Sequence, residues 1–263
     1  MLSEELPISS DELPISSEEA TSEALPVRTP DERSAAAPMP PSALMPPSPP
    51  SAPHPPLLLA IPTEDAQALR LWDLRQRVPA RTLAASEANG RAGMCMCVRF
   101  VGETALVAGW EDGSLQLFDL RGTSPPSSRR LHTEPLLCVD VDPKGQHALT
   151  GAADCALCVV PLSRGTLAPP IAQLAIPVTS ESSGSGGLSS LCVRPDGRIF
   201  AAGGWDHRVR LWQWRNQKPL AVLKHHTATV NVVHFSPCSR WLASASNDRT
   251  IALWNLFPPR DSK

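Results

Sequence analysis

The sequence has no long hydrophobic run and no secretion signal. No apolar stretch approaches the roughly 18 residues that suggest a membrane span. The acidic N-terminus has neither a basic region nor an apolar core of signal-peptide length. The seven cysteines are an odd number, which fits free thiols. We therefore expect a chain without membrane contact that works in a reducing compartment, in the cytoplasm and nucleus.

Patterns for metal binding or catalysis are scarce. Cys155-x-x-Cys158 is the one cysteine pair with metal-ligand spacing. Zinc would need a second such pair, and the gap in Cys95-x-Cys97 is wrong. No nucleophile–base pair, phosphate-binding loop or metal-ligand set is recognisable. The sequence thus predicts a protein that is not an enzyme and needs no cofactor, metal or small-molecule substrate.

Positive charge is not concentrated in one place. The formal net charge is −2, but residues 1–33 hold nine acidic and two basic residues. The rest of the chain holds 22 basic and 17 acidic residues, and Arg129-Arg130 is its one basic cluster. Duplex-binding proteins usually carry a basic stripe. We expect no direct nucleic-acid binding.

Residues 1–56 are predicted to be a disordered acidic and proline-rich tail. A six-residue acidic sequence occurs twice, at 5–10 and 12–17, and 13 of the 37 residues in 26–62 are proline. Proline removes backbone donors and opposes both helix and sheet. The tail has two interpretations, a solvated spacer or a docking motif with acidophilic-kinase sites. A second short tail is predicted at 258–263.

From residue 57 short alternating apolar runs are separated by turn residues, which is typical of β-strands. Four aspartates, 42, 52 and 42 residues apart, each precede an apolar position by six residues. These pairs are Asp112 with Phe118, Asp154 with Val160, Asp206 with Trp212, and Asp248 with Trp254. A half-copy covers Leu69–Leu74. Repeats of about 40–45 residues with several short strands predict β-propeller blades.

The predicted fold is an all-β propeller with four complete four-stranded blades and one partial blade. Strand a of each blade is innermost, and the aspartate lies in the turn between strands b and c. The predicted partial repeat covers 57–85, and repeats one to four cover 86–128, 129–170, 171–222 and 223–257. In repeat four, strands a, b and c are predicted at 229–235, 240–245 and 251–256.

Repeat four resembles the WD40 family in His226, in Val230–Pro237 and in Trp241–Leu256. The resemblance implies that polar residues at four offsets form a structural relay from Trp to Ser to His to Asp. Here those residues are His226, Ser244, Asp248 and Trp254. A mutually satisfied buried network also makes physical sense. We interpret the set as structural, the alternative being a catalytic site.

The other repeats keep only parts of this relay. Repeat two has His132, Thr150 and Asp154, but Val160 in place of tryptophan; repeat three has Asp206 and Trp212, but Gly184 and Ala202 in place of the histidine and hydroxyl; repeat one has Asp112 alone. These losses predict blades held mainly by apolar packing.

Antiparallel strand order places all b–c turns and d–a loops on one face of the ring. We define the rim as six residues of the b–c turns, namely Trp110, Glu111, Trp205, His207, Arg208 and Arg249. Tryptophan and arginine are common interface anchors, so the rim is the candidate partner site. The alternative is that each indole caps the core between blades.

Three segments carry a more specific resemblance: Ala108–Gly113, Ala201–Arg210 and Leu253–Pro258. They are similar to the guanine nucleotide-binding protein subunit beta-like protein 1 family, whose fungal relative is ASTRA-associated protein 1. The resemblance implies a seven-bladed propeller that works with the Tel2–Tti1–Tti2 co-chaperone in maturing phosphatidylinositol-3-kinase-like kinases. Those client kinases serve DNA-damage and growth signalling. The fungal relative is also assigned to a chromatin-linked complex.

The chain departs from that family in its number of readable repeats. Four full repeats and one partial repeat imply either a fragment, an isoform or a faulty gene model, or an open ring. Two other functions are considered. A substrate receptor of a cullin-RING ubiquitin ligase fits Trp72-Asp73-Leu74-Arg75, although Ala66 stands where its docking box has an aspartate. A G-protein β-like signalling subunit would need a coiled-coil helix, and the proline-dense tail has no heptads.

Overall fold

The computed structural model describes residues 57–63, 67–86, 92–163, 165–176 and 186–256. Both predicted tails, 1–56 and 258–263, lie outside these ranges. Within them the secondary structure consists of strands alone, so they contain no helix that could cross a membrane. The all-β prediction is confirmed.

Nineteen strands form five antiparallel sheets, each built from consecutive strands. Sheet 1 holds β1 (Leu58–Pro62), β2 (Ala68–Asp73) and β3 (Val78–Ala84). Sheet 2 holds β4 (Cys95–Val101), β5 (Ala105–Trp110), β6 (Ser114–Asp119) and β7 (Ser127–Arg130). Sheet 3 holds β8 (Leu136–Val141), β9 (His147–Ala152), β10 (Ala156–Ser163), β11 (Thr166–Leu167) and β12 (Ala172–Ala175). Sheet 4 holds β13 (Leu188–Val193), β14 (Ile199–Gly204), β15 (Arg208–Gln213) and β16 (Pro219–Lys224). Sheet 5 holds β17 (Val230–Phe235), β18 (Trp241–Ser246) and β19 (Ile251–Asn255).

Three predicted repeat boundaries fall too early. β7 extends to Arg130 and β16 to Lys224, two residues beyond the predicted ends of repeats one and three. β12 (Ala172–Ala175) pairs with β10 of sheet 3, although it was assigned to repeat three. The fourth strand contains none of the residues that define the repeat, so their spacing could not locate its end.

Sheets 1 and 5 have three strands each within the described residues. In β1 and β2, Leu59 pairs with Trp72 as Leu106 pairs with Phe118 in strands b and c of sheet 2. The three strands of sheet 1 therefore correspond to strands b, c and d. Sheet 5 has strands a, b and c, and the outer strand β19 leaves Ile251 74% exposed.

The core lies between neighbouring sheets. Four apolar clusters fill the four junctions, and each draws buried residues from both sheets. Alternating side chains of a strand point to opposite faces, so each inner sheet contributes to two clusters. This arrangement explains why continuous apolar runs such as Ile199–Gly204 are buried throughout.

Glycine at one position of strand b allows close contact between sheets. A Cβ atom on Gly203 would lie 2.8 Å from Val230 Cγ1, and one on Gly151 would lie 3.0 Å from Leu188 Cδ1. Val230 and Leu188 are each the first residue of the next inner strand. The glycines thus admit the leading side chain of the following sheet.

The inner strands β4, β8, β13 and β17 contact one another in chain order. The buried Asp140 on β8 accepts a hydrogen bond from Val193 N on β13 at 2.7 Å. Its other oxygen lies 2.9 Å from Nε of Arg99 on β4. One carboxylate therefore connects three sheets.

Candidate functional site

The four repeat aspartates cap the turns between strands b and c. The Oδ1 atom of each aspartate accepts a hydrogen bond from the backbone N–H two residues later. The N–Oδ1 distance is 2.9 Å both for Ser114 with Asp112 and for Thr250 with Asp248. The residue between has positive φ in every repeat, and three of these four residues are not glycine: Cys155, His207 and Arg249, with φ of 62°, 69° and 69°. The turn therefore presents the side chains of His207 and Arg249 from left-handed backbone.

Sheet 5 brings together the four relay residues of repeat four. His226 Nδ1 lies 2.9 Å from Asp248 Oδ2, and His226 Nε2 lies 2.8 Å from Ser244 Oγ. The Trp254 indole N–H donates to the same hydroxyl at 3.0 Å. The Thr250 hydroxyl, with further hydrogen bonds, holds the pKa of Asp248 well below its usual range. The cluster fastens the loop before β17 to the turn after β18.

Sheet 3 has the same arrangement without an indole. His132 Nδ1 lies 3.1 Å from Asp154 Oδ1, and His132 Nε2 lies 2.9 Å from the Thr150 hydroxyl. Asp154 also accepts the N–H of Thr133, as Asp248 accepts that of Thr227. Burial lowers the pKa of His132 below its ordinary value. A neutral ring with its proton on Nδ1 satisfies both neighbours.

Sheet 4 replaces the histidine with an arginine from strand c. Arg210 Nη1 and Nη2 lie 3.0 and 2.5 Å from the two oxygens of Asp206, and both side chains are buried. Trp212, predicted to belong to the relay, stacks on Phe200 with ring centroids 5.2 Å apart. Ala202 stands at the position where sheet 5 has the hydroxyl that accepts the indole N–H, so Trp212 has no such acceptor there. Gly184, the other replaced position, lies outside the described residues.

In sheet 2 a glutamine of strand c makes the buried polar contact. The buried Gln116 accepts the N–H of Ser86 at 2.8 Å and donates to the Ser86 carbonyl at 3.3 Å. It therefore binds the backbone of the loop that leads to β4. Asp112 caps its turn as described above.

Two paired positions explain these alternatives. Sheets 3 and 5 place a hydroxyl in strand b opposite a small residue in strand c: Thr150 opposite Cys158, and Ser244 opposite Ala252. Sheets 2 and 4 place alanine in strand b opposite a long polar residue: Ala108 opposite Gln116, and Ala202 opposite Arg210. A long polar residue four positions after the turn aspartate is thus the signal that the sequence analysis missed.

Trp110 is not a surface residue, and its prediction as a partner anchor was wrong. It is fully buried in the cluster between sheets 1 and 2. Trp110 lies two residues before Asp112 and ends β5, whereas Trp205 lies one residue before Asp206 in the turn. Because successive strand residues face opposite sides, this offset of one residue turns the two indoles differently.

The remaining rim residues are accessible. Trp205 is half-buried, and its ring lies over Gly187, where an added Cβ would be 2.8 Å from Cδ2. His207 and Arg208 are also half-buried, while Glu111 and Arg249 are exposed. Glu111 accepts the N–H of Met94 at 3.1 Å. Neither arginine forms an ion pair within the described part of the chain.

The cysteines of the described strands and turns are free thiols. Cys158 is buried in β10 and Cys155 occupies a turn, and burial raises the pKa of Cys158 to about 11. In the ranges that the structure covers, no group of three His, Cys, Asp or Glu side chains is placed to hold a metal ion.

The family model for the WD40 repeat, described as "WD domain, G-beta repeat", matches residues 124–160, 177–213 and 217–255. These matches lie mainly on repeats two to four, and the first and third begin in the last residues of the preceding repeat.

Relatives extend the similarity over more of the chain. It is 33% identical over 206 residues to guanine nucleotide-binding protein subunit beta-like protein 1 of Mus musculus, covering 76% of this chain and 60% of the mouse protein. It is 28% identical over 248 residues to ASTRA-associated protein 1 of Verticillium alfalfae, covering 76% and 59%. Against the WD repeat-containing protein WDS homolog of Arabidopsis thaliana, identity is 27% over 236 residues, covering 74% and 44%. The chain thus spans no more than about three-fifths of these curated relatives.

Proposed function

We propose that this protein, whose chain contains WD40 repeats, is a non-catalytic scaffold that binds other proteins through its rim. The observation that carries the proposal is that adjacent residues have different roles in the b–c turns of sheets 4 and 5. The aspartate forms hydrogen bonds within the fold, whereas the next residue has a left-handed backbone and an accessible side chain, half-buried for His207 and exposed for Arg249. The buried His and Asp side chains hold the loops, and their neighbours stay available.

The chemistry of the rim suits an acidic and partly apolar partner. Arg208 and Arg249 offer planar donors that match carboxylates. Trp205 adds a half-buried aromatic side chain to the rim. Arginine and tryptophan are over-represented among residues that dominate binding energy.

The names of the relatives direct the choice of partner. ASTRA-associated protein 1 is named for an assembly, and this chain is similar to it over 76% of its length. We therefore propose that the protein works in an ASTRA-type assembly, as a partner of the Tel2–Tti1–Tti2 co-chaperone and of its client kinases. The proposed location is cytoplasm and nucleus.

The ligase-receptor alternative has a structural explanation. Asp73 of the Trp72–Arg75 motif accepts the N–H of Arg75 at 2.8 Å and so caps the turn after β2. Asp119 does the same for Arg121 at 2.9 Å in sheet 2. The motif is thus accounted for by a turn that recurs in the fold.

Affinity purification of rim variants tests the proposal. Trp205→Ala should reduce recovery of the co-chaperone by about thirtyfold, which corresponds to about 2 kcal/mol. Since the indole packs on Gly187, the double variant Arg208→Glu/Arg249→Glu tests the same face without removing packing. Thermal melting establishes that each variant is folded. Full recovery of the co-chaperone by the folded charge-reversal variant would refute the rim, while recovery of a ligase adaptor or a γ subunit would favour an alternative.

A further inference from the structure

The inner edge of sheet 1 is arranged differently from that of the other sheets. Sheets 2 to 5 each begin with an inner strand, whereas β1 takes the position of strand b. Sheet 1 therefore has no inner strand within the described residues.

Hydrogen bonds to β2 show which groups of β1 face the inner edge. Thr63 N donates to Ala68 O, and Leu74 N donates to Leu57 O, both at 2.9 Å. Because hydrogen-bonded pairs alternate in antiparallel strands, every second residue of β1 binds β2. Leu58 and Ala60 lie between those residues, so their N–H and C=O groups point away from β2.

Phe100 on β4 faces the same edge and is 36% exposed. Phe235 holds the corresponding position on β17 and is 2% exposed. Its N–H lies 3.5 Å from Sγ of Cys192 on the preceding inner strand. At the junction before that, Asp140 binds Val193 N in the same way. At these two junctions an inner strand of the preceding sheet covers the corresponding position.

A cavity of about 430 Å³ opens beside Phe100 at this edge. Leu57, Leu58 and Phe100 form its apolar wall, and Arg75 and Glu103 place opposite charges beside them. Neither charged residue forms an ion pair with a described residue. The cavity thus combines apolar walls with groups of β1 that have no ladder partner among the described residues.

We propose that the inner edge of β1 binds an extended segment of a partner protein as an added strand. Two features of that segment follow from β8 and β13. It presents a small side chain that accepts a hydrogen bond, Asp, Ser or Cys, toward the N–H of Phe100. Its backbone N–H and C=O groups form hydrogen bonds with those of Leu58 and Ala60. Such strand addition uses main-chain bonds for affinity and side-chain sites for specificity.

Sequence composition favours a segment from another protein over the residues that directly precede β1. Ten of the nineteen residues at 38–56 are proline, and proline lacks the N–H that a ladder strand must donate. This interface is separate from the rim and does not rest on the function proposed above.

The chain's own inner strand supplies a probe. A fluorescent, end-capped peptide of residues 136–142 carrying Cys138→Ser should bind the full chain with micromolar affinity in anisotropy titrations, and a scrambled peptide should not. Ala60→Pro removes an N–H that points to the free edge, so it should weaken binding at least tenfold while the ladder to β2 persists. Ile61→Thr changes an exposed side chain whose N–H already serves β2, and it should bind like the parent. No binding by the parent, or equal binding by Ala60→Pro, would overturn the proposal.

Amide hydrogen exchange tests what covers the edge before the probe is added. The Ala60 N–H should exchange rapidly in the full chain alone and at least tenfold more slowly with saturating peptide. Protection in the absence of peptide that persists on dilution would mean that this chain covers its own edge. Protection that disappears on dilution would mean that a second copy does so. Either result would overturn the proposal.

Discussion

In sheets 3 and 5 a histidine of the incoming loop binds the turn aspartate. In sheets 2 and 4 the buried polar contact comes from a side chain of strand c, which binds the incoming loop in sheet 2 and the turn aspartate in sheet 4. In sheet 5, His226 reaches from the loop to Ser244 and Asp248. In sheet 4, Arg210 reaches from the strand to Asp206. A repeat without the relay histidine therefore keeps a buried polar contact at this end of the sheet. The side chain that makes the contact comes from strand c, and the residue paired with it in strand b is alanine in place of a hydroxyl residue.

Arg210→Ala in sheet 4 should have the largest effect on the free energy of unfolding. The change leaves Asp206 buried without its partner, and breaking one side of a buried ion pair costs about 3–5 kcal/mol. Urea denaturation should show this loss as a lower midpoint at an unchanged slope. Arg208→Ala, two residues away and without an ion pair in the described structure, should remain within about 0.5 kcal/mol of the parent. Equal midpoints for the two variants would contradict the anchoring role.

A histidine anchor should be worth less, because the groups that it leaves behind keep other partners. His226→Ala is expected to lower the free energy of unfolding by about 1–3 kcal/mol. The exposed neighbour His225 contacts the rings of His226 and Trp254 but has no part in the hydrogen bonds of the relay, so His225→Ala controls for the loss of ring contact alone. His132→Ala should cost a similar amount, since its two hydrogen bonds match those of His226. A much smaller cost at His132 would show that the Trp254 indole carries most of the difference.

The glutamine anchor of sheet 2 should have the smallest global effect of the three. Gln116→Met keeps the side-chain volume but removes both bonds to Ser86, and we expect a loss of about 1 kcal/mol. Hydrogen exchange at the Ser86 amide should rise more than exchange elsewhere in sheet 2. Unchanged exchange at Ser86 would contradict the role assigned to Gln116.

Acidification should separate the neutral relay of sheet 3 from the rest of the fold. Burial depresses the pKa of His132, so below the unfolded value of about 6.5 the unfolded chain binds a proton that the folded chain does not. Stability from this site is therefore present above about pH 6.5 and falls as the pH drops toward the folded pKa. Melting temperatures from pH 7.5 to 5.5 should decline less steeply for His132→Gln than for the parent. Parallel curves would contradict this assignment.

The sequence predicted strands well where the repeat residues define them. In repeat four, strands b and c were placed at 240–245 and 251–256, and the structure has them at Trp241–Ser246 and Ile251–Asn255. Fixed offsets succeed here because the turn aspartate locks both neighbours in register. The fourth strand has no such residue, which is why Ala172–Ala175 was assigned to the wrong repeat.

The candidate site was harder to predict because exposure depends on the neighbouring sheet. Trp110 and Trp205 have similar distances from their aspartates, yet one is in the core and the other is accessible. Arg210 and Gln116 lie outside the offsets of the WD40 relay, so the relay pattern does not predict them. Both are long polar residues in strands that are otherwise buried.

Asp140 changes how the sheets should open. In a row of repeats where each contacts only its neighbours, stability behaves as a chain of independent nearest-neighbour terms. A carboxylate that binds Arg99 on one side and Val193 on the other adds a term that spans three repeats at once. We therefore expect sheets 2 to 4 to open together and sheets 1 and 5 to open first.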